Sequence, residues 1–516
     1  MTHKIAIDFG TTNSVIAHWD SSIDSPEVIP ISGLSTKDLP TRLPLIPSIV
    51  YVEDGQAKKV IIGQTVLDRE LERKRDNRLF RNFKRGIVAS PSPPPRRVDE
   101  ILWDDKRAGR SFLRNLVRRL PYQPDEIEQL VLTTPVASFE SYLVWLNETL
   151  GDLVGDKIRI VDESTAAALG YAVTEPEALV LVFDFGGGTL DLSLVQLPKS
   201  REKTGGMLTR LLKAMKKEGS HTAQVIAKAG QVIGGSDIDQ WLLADVLKRT
   251  NVTVQELGND YPMLLALCEK TKIILSTDDN TDLTFEVNGR AHTVTITRLE
   301  LESLLEQNGF FVALRRVVDK VMYITRQHGM YREDINYVLM VGGTSLMPSV
   351  QRVLKEYFSI LAVHSNKPFT AIAEGALQVA LGFGLDDYLI HAYGLRHLSP
   401  ITGEHEYDEI IPMGSPYPSK KPVEVLLSAA HANQQTIEFV IGEIDTDSIA
   451  RVEVKYENGQ AVFVAQADQS TYQVVPLNDS ESDTILANLL PPGKLRQDRL
   501  KAEFMVDKNR HLRLKC

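Results

Sequence analysis

Apolar and polar positions along the chain change period several times, and each change marks an element. "KIAIDFG" alternates and is rich in β-formers, "GTTN" breaks the pattern, and "SVIAHW" resumes it. This predicts strand, turn, strand. The same order returns in "LVFDFGGGTLDLSLVQL", Leu181 to Leu197, where three glycines interrupt an apolar run. Two copies with Asp-Phe-Gly in register predict an internal duplication: two similar lobes, each with one hairpin. "VLMVGGTSLMPSVQRVL", Val338 to Leu354, reads as strand, Gly342-Gly343 turn and helix. "VDESTAAALGYA", Val161 to Ala172, reads as an acidic cap and a small-residue helix built for close packing. Beyond about residue 392 the period becomes two again, in "VEVLLSA", "TIEFVIGEI", "ARVEVKYENGQAVFVAQ" and "LKAEFMVDKNRHLRLKC". With "ENGQ" as a hairpin turn, this predicts a β-sandwich over 392–516.

The two hairpins carry the candidate chemistry. Each joins strand to strand, which excludes the Walker loop and the dinucleotide fingerprint, since both open a helix. Consecutive N–H groups in a Gly-rich turn form a nest for anionic oxygens. Gly10, Gly186, Gly187 and Gly188 allow close backbone approach, and Thr11, Thr12 and Thr189 add hydroxyl donors. Asp8 and Asp184, at the strand ends, can hold Mg²⁺ through water, because Mg²⁺ keeps most of its hydration shell. Two such hairpins face to face would clamp a triphosphate.

Composition limits the setting. A chain of 516 residues predicts several domains. The net charge of −10 argues against a dedicated nucleic-acid binder, so no DNA partner is expected. Two cysteines, Cys268 and Cys516, exclude a disulfide framework and fit a reducing compartment. The N-terminus enters a strand at once, and no long apolar run occurs, so a cytoplasmic protein is expected.

Taken together, "IAIDFGTTNSVIA", "VFDFGGGTLDLSLV" and "VLMVGGTSLMPSVQ" resemble the three signatures of the heat shock protein 70 (DnaK-type) chaperones, within the actin-like ATPase superfamily. "LTTPVASF" and "IVDESTAAALGYA" are similar to the segments connecting that family's lobes. The resemblance implies an α/β actin-like ATPase domain of two lobes over 1–384, a linker at 385–391, and a smaller all-β sandwich at 392–516, without the family's helical lid. It implies ATP or ADP, Mg²⁺ and K⁺ as ligands, and slow ATP hydrolysis controlling the binding of unfolded or client polypeptides in protein folding and stress response. A J-domain co-chaperone and a nucleotide exchange factor are the further partners it implies.

Site roles follow from the same resemblance. Asp8, Gly10, Thr11, Thr12 and Asn13 fall at the first phosphate site. Asp184, Gly186 to Gly188, Thr189 and Asp191 fall at the second, with Asp8, Asp184 and Asp191 near the cations. Lys84, Glu163, Asp184 and Thr189 take the catalytic positions, Lys84 by the γ-phosphate and Glu163 orienting water. Pro135 matches the inter-lobe switch proline. Gly234 and Gly235 in "QVIGGSDID", Glu269, Lys272 and Ser276 in "CEKTKIILS", and Gly342 and Gly343 line the nucleoside side.

The chain departs from the family pattern at several points. Leu346 replaces an arginine that commonly stacks on adenine, and Phe369 and Thr370 replace two acids. The acidic, Leu-rich linker is reduced to "DDYLIHAYG", leaving Leu389 and Ile390. These departures keep a second reading open: a nucleotide-bound regulator or exchange-factor-like protein that hydrolyses little. A small-molecule kinase of the same superfamily would need its own base and substrate pocket, and the chaperone signatures weigh against it. "ASPSPPPRR" reads as a stiff surface loop, and the Arg-rich stretch 69–119 as helices with solvated faces. Within the insertion Lys199 to Gly230, residues 205–219 read as a basic amphipathic helix. Packing on its own domain is the favoured reading there, with membrane or RNA contact the speculative one.

Overall fold

A computed structural model describes the chain apart from residues 1, 21, 24, 37–42, 75, 90–91, 136–139, 172–176, 198–221, 359–361, 382–383, 400–402, 446–450, 458–459, 467–472, 479–484 and 496. The helix expected at 205–219 lies outside the described residues. The fold is mixed α/β with several sheets. It divides into two compact units, one of residues 1–137, 149–385 and 456–462, the other of 138–148, 386–455 and 463–516.

The first unit holds two large sheets. In one, β1 (His3–Phe9), β2 (Asn13–Asp20), β3 (Ser25–Val28), β4 (Ile127–Thr134) and β5 (Ile158–Asp162) lie in the order β5-β4-β1-β2-β3. In the other, β6 (Leu179–Phe185), β7 (Leu190–Gln196), β8 (Thr222–Gln231), β9 (Tyr337–Val341) and β10 (Val363–His364) lie in the order β10-β9-β6-β7-β8. The pairing repeats: two parallel contacts, then two antiparallel ones, in both sheets. Each Asp-Phe-Gly hairpin supplies the strand where parallel gives way to antiparallel. The duplication predicted from the repeated string is thus repeated in the strand order. Strand β6 is buried along its whole length, which is why it reads as a near-continuous apolar run.

Helices needed for the site are α1 (Phe83–Val88), α2 (Glu163–Gly170), α3 (Gly235–Thr250), α4 (Tyr261–Ile274), α5 (Phe310–Gln327), α6 (Pro348–Tyr357) and α7 (Ala371–Ala380). One core joins β6, β7, α3 and α5, with Phe185 stacked on Phe310 at 5.5 Å. Helices α2 and α7 touch through glycine. A Cβ on Gly170 would run into the Ala371 carbonyl oxygen, and one on Gly375 into that of Ala166. The small-residue pattern of "ESTAAALG" therefore serves close packing, as expected.

The Arg-rich stretch differs from expectation. It contains strands Leu79–Arg81, Arg96–Val98 and Ile101–Trp103 as well as helices. Its arginines also cover rings, Arg96 lying 3.8 Å from the Phe80 centroid and Arg107 4.6 Å from that of Trp103. Guanidinium planes that stack on aromatics need no solvated helix face.

The second unit is mainly β. Ala392–Leu398 pairs antiparallel with His405–Ile411 and Ile441–Asp445. Asp498–Val506 pairs with Val423–Ser428 and Leu512–Lys515, and Gln434–Phe439 with Ile485–Gly493. Tyr393, Phe439, Ile441, Ala502 and Phe504 form its core, and Leu389 joins them, 2% exposed. Within this unit Glu140 is buried: its N–H donates to Glu443 Oε2 at 2.6 Å, and its Oε1 accepts from Leu512 N–H at 2.9 Å. Glu443 Oε1 lies 3.1 Å from His391 Nδ1. Both cysteines are free. Among the described residues, no helix is long and apolar enough to cross a membrane.

Candidate functional site

The hairpin turns bring the repeated motifs together. Strand β1 ends in Asp8-Phe9, and the chain reverses through Gly10 to Thr12 into β2. Strand β6 ends in Asp184-Phe185 and reverses through Gly186 to Thr189 into β7, with Gly186 N–H donating to the Thr189 carbonyl at 3.1 Å. The two turns touch. A Cβ on Gly187 would run into Thr12 Oγ1, and one on Gly188 would lie 2.7 Å from Thr11 Oγ1. Only glycine leaves room for the opposite threonines.

Two further glycine turns adjoin. Gly235 N–H donates to the Gly186 carbonyl at 3.0 Å and Ser236 N–H to that of Gly187 at 2.8 Å. This docks the start of α3 against the second phosphate turn. Gly342 follows β9 with φ +78°, a conformation that favours glycine, and a Cβ there would run into the Phe185 carbonyl. Thr344 Oγ1 then donates to the Gly186 carbonyl at 2.7 Å.

Carboxylates crowd the floor of this cradle. Burial, and secondarily Glu163, pushes Asp8 up to about 7, although Thr133 Oγ1 donates to it at 2.9 Å. Asp191 is likewise pushed up to about 7, first by burial and then by Glu163. Asp184 sits directly across the ladder from Asp191 and is held well above the usual carboxylate range, by burial first and then by Glu163, Asp191 and Asp8. Both Asp191 oxygens are shut off from solvent without a well-formed hydrogen bond, the Thr189 hydroxyl being near enough to favour the charged form. Such a cluster favours a cation beside it. Among the described residues, no three acidic, histidine or cysteine side chains converge closely enough to ligate an ion directly.

Lys84, on α1, donates to Glu163 Oε1 at 2.6 Å, both side chains being buried. Glu163 is placed by the residue before it. Asp162 caps α2, accepting from Thr165 N–H at 2.8 Å, and its Oδ2 accepts from Lys228 Nζ at 3.1 Å. On the far wall Lys272 Nζ lies 2.8 Å from Asp239 Oδ1 and donates to the Gly235 carbonyl at 2.9 Å. Glu269, one turn earlier on α4, pairs with Arg81 at 3.3 Å. Ser276 lies just past α4, and its hydroxyl is spent on the Lys272 carbonyl at 3.2 Å. Pro135 directly follows β4.

Several participants were not singled out in the sequence. Arg85 donates through both Nη atoms to Asp237 Oδ1 at 3.1 Å, while Asp237 Oδ2 accepts from Gly234 N–H at 2.7 Å. Arg81, Thr133 and Lys228 complete the set. The available signals were weak: Arg85 adjoins Lys84, and Asp237 stands in the acidic start "GGSDID".

The family model described as "Hsp70 protein" matches residues 125–208 and 214–391, which is half of the chain. The chain belongs to the Hsp70 family. Among curated relatives, the chaperone protein DnaK of Thermosipho melanesiensis is 28% identical over 506 residues, covering 94% of this chain and 77% of that protein. Chaperone protein DnaK of Thermosipho africanus is 27% identical over 511 residues, with 94% and 77% covered. That of Thermotoga neapolitana is 26% identical over 507 residues, with 93% and 77% covered.

Proposed function

We propose that this Hsp70-family chain is a chaperone-like ATPase. An actin-like two-lobe domain, residues 1–384, binds ATP or ADP, and a β-sandwich at 392–516 binds client polypeptide, the segment 385–391 linking them. The observation that carries the reading is the contact of the Thr11-Thr12 turn with the Gly187-Gly188 turn above buried Asp8, Asp184 and Asp191. Turn amides and threonine hydroxyls take the phosphate oxygens. The three aspartates would hold Mg²⁺ through its water shell, and K⁺, and these cations would relieve their mutual repulsion. Direct ligation by three side chains is not required for such a hydrated ion.

The catalytic work falls to positioning and charge. Lys84 Nζ, held by Glu163, presents a cation to the γ-phosphate and to the attacking water. Glu163 accepts a hydrogen bond from that water and orients it. Asp184 and Thr189 keep the second turn and its cation in place. A J-domain co-chaperone and a nucleotide exchange factor complete the proposed cycle, in the cytoplasm.

Anisotropy of a labelled unfolded peptide, titrated with the full chain in ATP and in ADP, tests the coupling. Tighter binding in ADP is expected. Equal, measurable binding in both favours the second reading, a nucleotide-bound regulator, for which the uncharged Leu346 is the specific observation.

A further inference from the structure

Two of the departures from the family pattern, Leu346 and Phe369, fall on one wall of the candidate site. Gly342 N–H donates to the Pro368 carbonyl at 2.8 Å, which ties the residue before Phe369 to the glycine turn. A Cβ on Gly343 would lie 3.4 Å from Phe369 Cε1 and 3.8 Å from its Cζ. The ring edge therefore lies about one methyl group's width from the exposed Gly343 backbone, and glycine puts no side chain in that space. Thr344 continues the same turn and contacts the Gly186 carbonyl, on the phosphate side. A Cβ on Gly235 would lie 2.7 Å from Thr344 Oγ1 and 2.8 Å from Lys272 Nζ, so the wall of α4 carrying Glu269 and Lys272 adjoins this turn too.

Phe369 is only half-buried, while Thr370 and Ala371 after it are buried. Leu346, on the same turn, brings no charge and no ring, so a base lying over Gly342-Gly343 has no guanidinium there to stack on.

We infer that Phe369 is the base-stacking residue of this cleft and supplies by its aromatic face what the family obtains from arginine. This deepens the nucleotide-binding reading and rests on it. An aromatic face attracts any nucleobase through dispersion and offset stacking, and the phosphate cradle holds the rest of the nucleotide. Phe369 thus sets affinity for the base and leaves that for the phosphates untouched.

Calorimetric titration of the full chain with Mg·ADP and with Mg·tripolyphosphate separates the two parts. Phe369→Leu keeps apolar volume and removes the π-face; it should weaken ADP by about tenfold, the size of one lost base–aromatic stack. Its tripolyphosphate affinity should equal that of the wild type, and Phe369→Trp should restore ADP binding. Melting of each ligand-free variant checks that the fold is kept. Wild-type ADP affinity in Phe369→Leu, or parallel loss of both ligands, overturns the assignment. A wild-type chain that takes tripolyphosphate but gains nothing from the base also overturns it. If the wild type binds neither ligand, the nucleotide reading itself fails, and this assignment with it.

Discussion

Asp8 and Asp184 stand out in the sequence as candidates because an acid closing an apolar strand has little structural motive, whereas Asp191 enters as a candidate only through the family resemblance. Glu140 shows the opposite case: nothing around "VASFESYL" announces a buried carboxyl. Burial, with Glu443 nearby, pushes Glu140 up from 4.5 to about 7, against hydrogen bonds from Tyr393 and Leu512 that favour its charge. The native state therefore holds this proton more tightly than the unfolded chain does. Its stability is full below the ordinary carboxyl range, falls as pH rises from about 4.5 to about 7, and is flat above. The linkage amounts to about 3 kcal/mol. Glu140→Gln keeps a carbonyl acceptor for Leu512 N–H and removes the charge. Denaturant melts at pH 5 and pH 8 should show the variant gaining on the wild type only at pH 8; an equal difference at both values would refute the assignment. At the site, Lys84→Ala should lower kcat for ATP by about a hundredfold, the size of one lost charge-stabilising donor. ADP affinity should change far less, which equilibrium titration checks.

At the scale of elements, hairpins and the small-residue helix could be read because their reasons are local. A strand-to-strand glycine turn and a stripe of alanines each need only a short window. The pairs Arg85–Asp237 and Arg81–Glu269 join residues 152 and 188 positions apart, and no local period encodes them. The grouping of residues 138–148 is not encoded locally either. Residues 138–148 follow β4 in sequence yet group with the β-rich unit, because Glu140 finds its partners at Glu443 and Leu512. The glycine contact of α2 with α7 predicts a large effect from a small change. Gly375→Ala puts a methyl group into the Ala166 carbonyl. We expect a loss of about 3 kcal/mol, or roughly 4 °C in Tm for a unit of this size. Alanine at Gly151, inside a helix and with nothing within 4 Å, is the control and should not lower Tm.

For the whole molecule, two repeated sheets bring two repeated turns into contact, and the buried acids, Lys84 and Glu163 lie beneath them. The account stands on that cradle being an ATP site that turns over. Steady-state ATP hydrolysis by the purified full chain, beside Lys84→Ala and Asp184→Asn, tests it most directly. The account predicts slow hydrolysis by the wild type, rising when an unfolded peptide is added and lost in both variants. Hydrolysis that survives both substitutions, or a wild-type chain that binds ATP without turning it over, would contradict it.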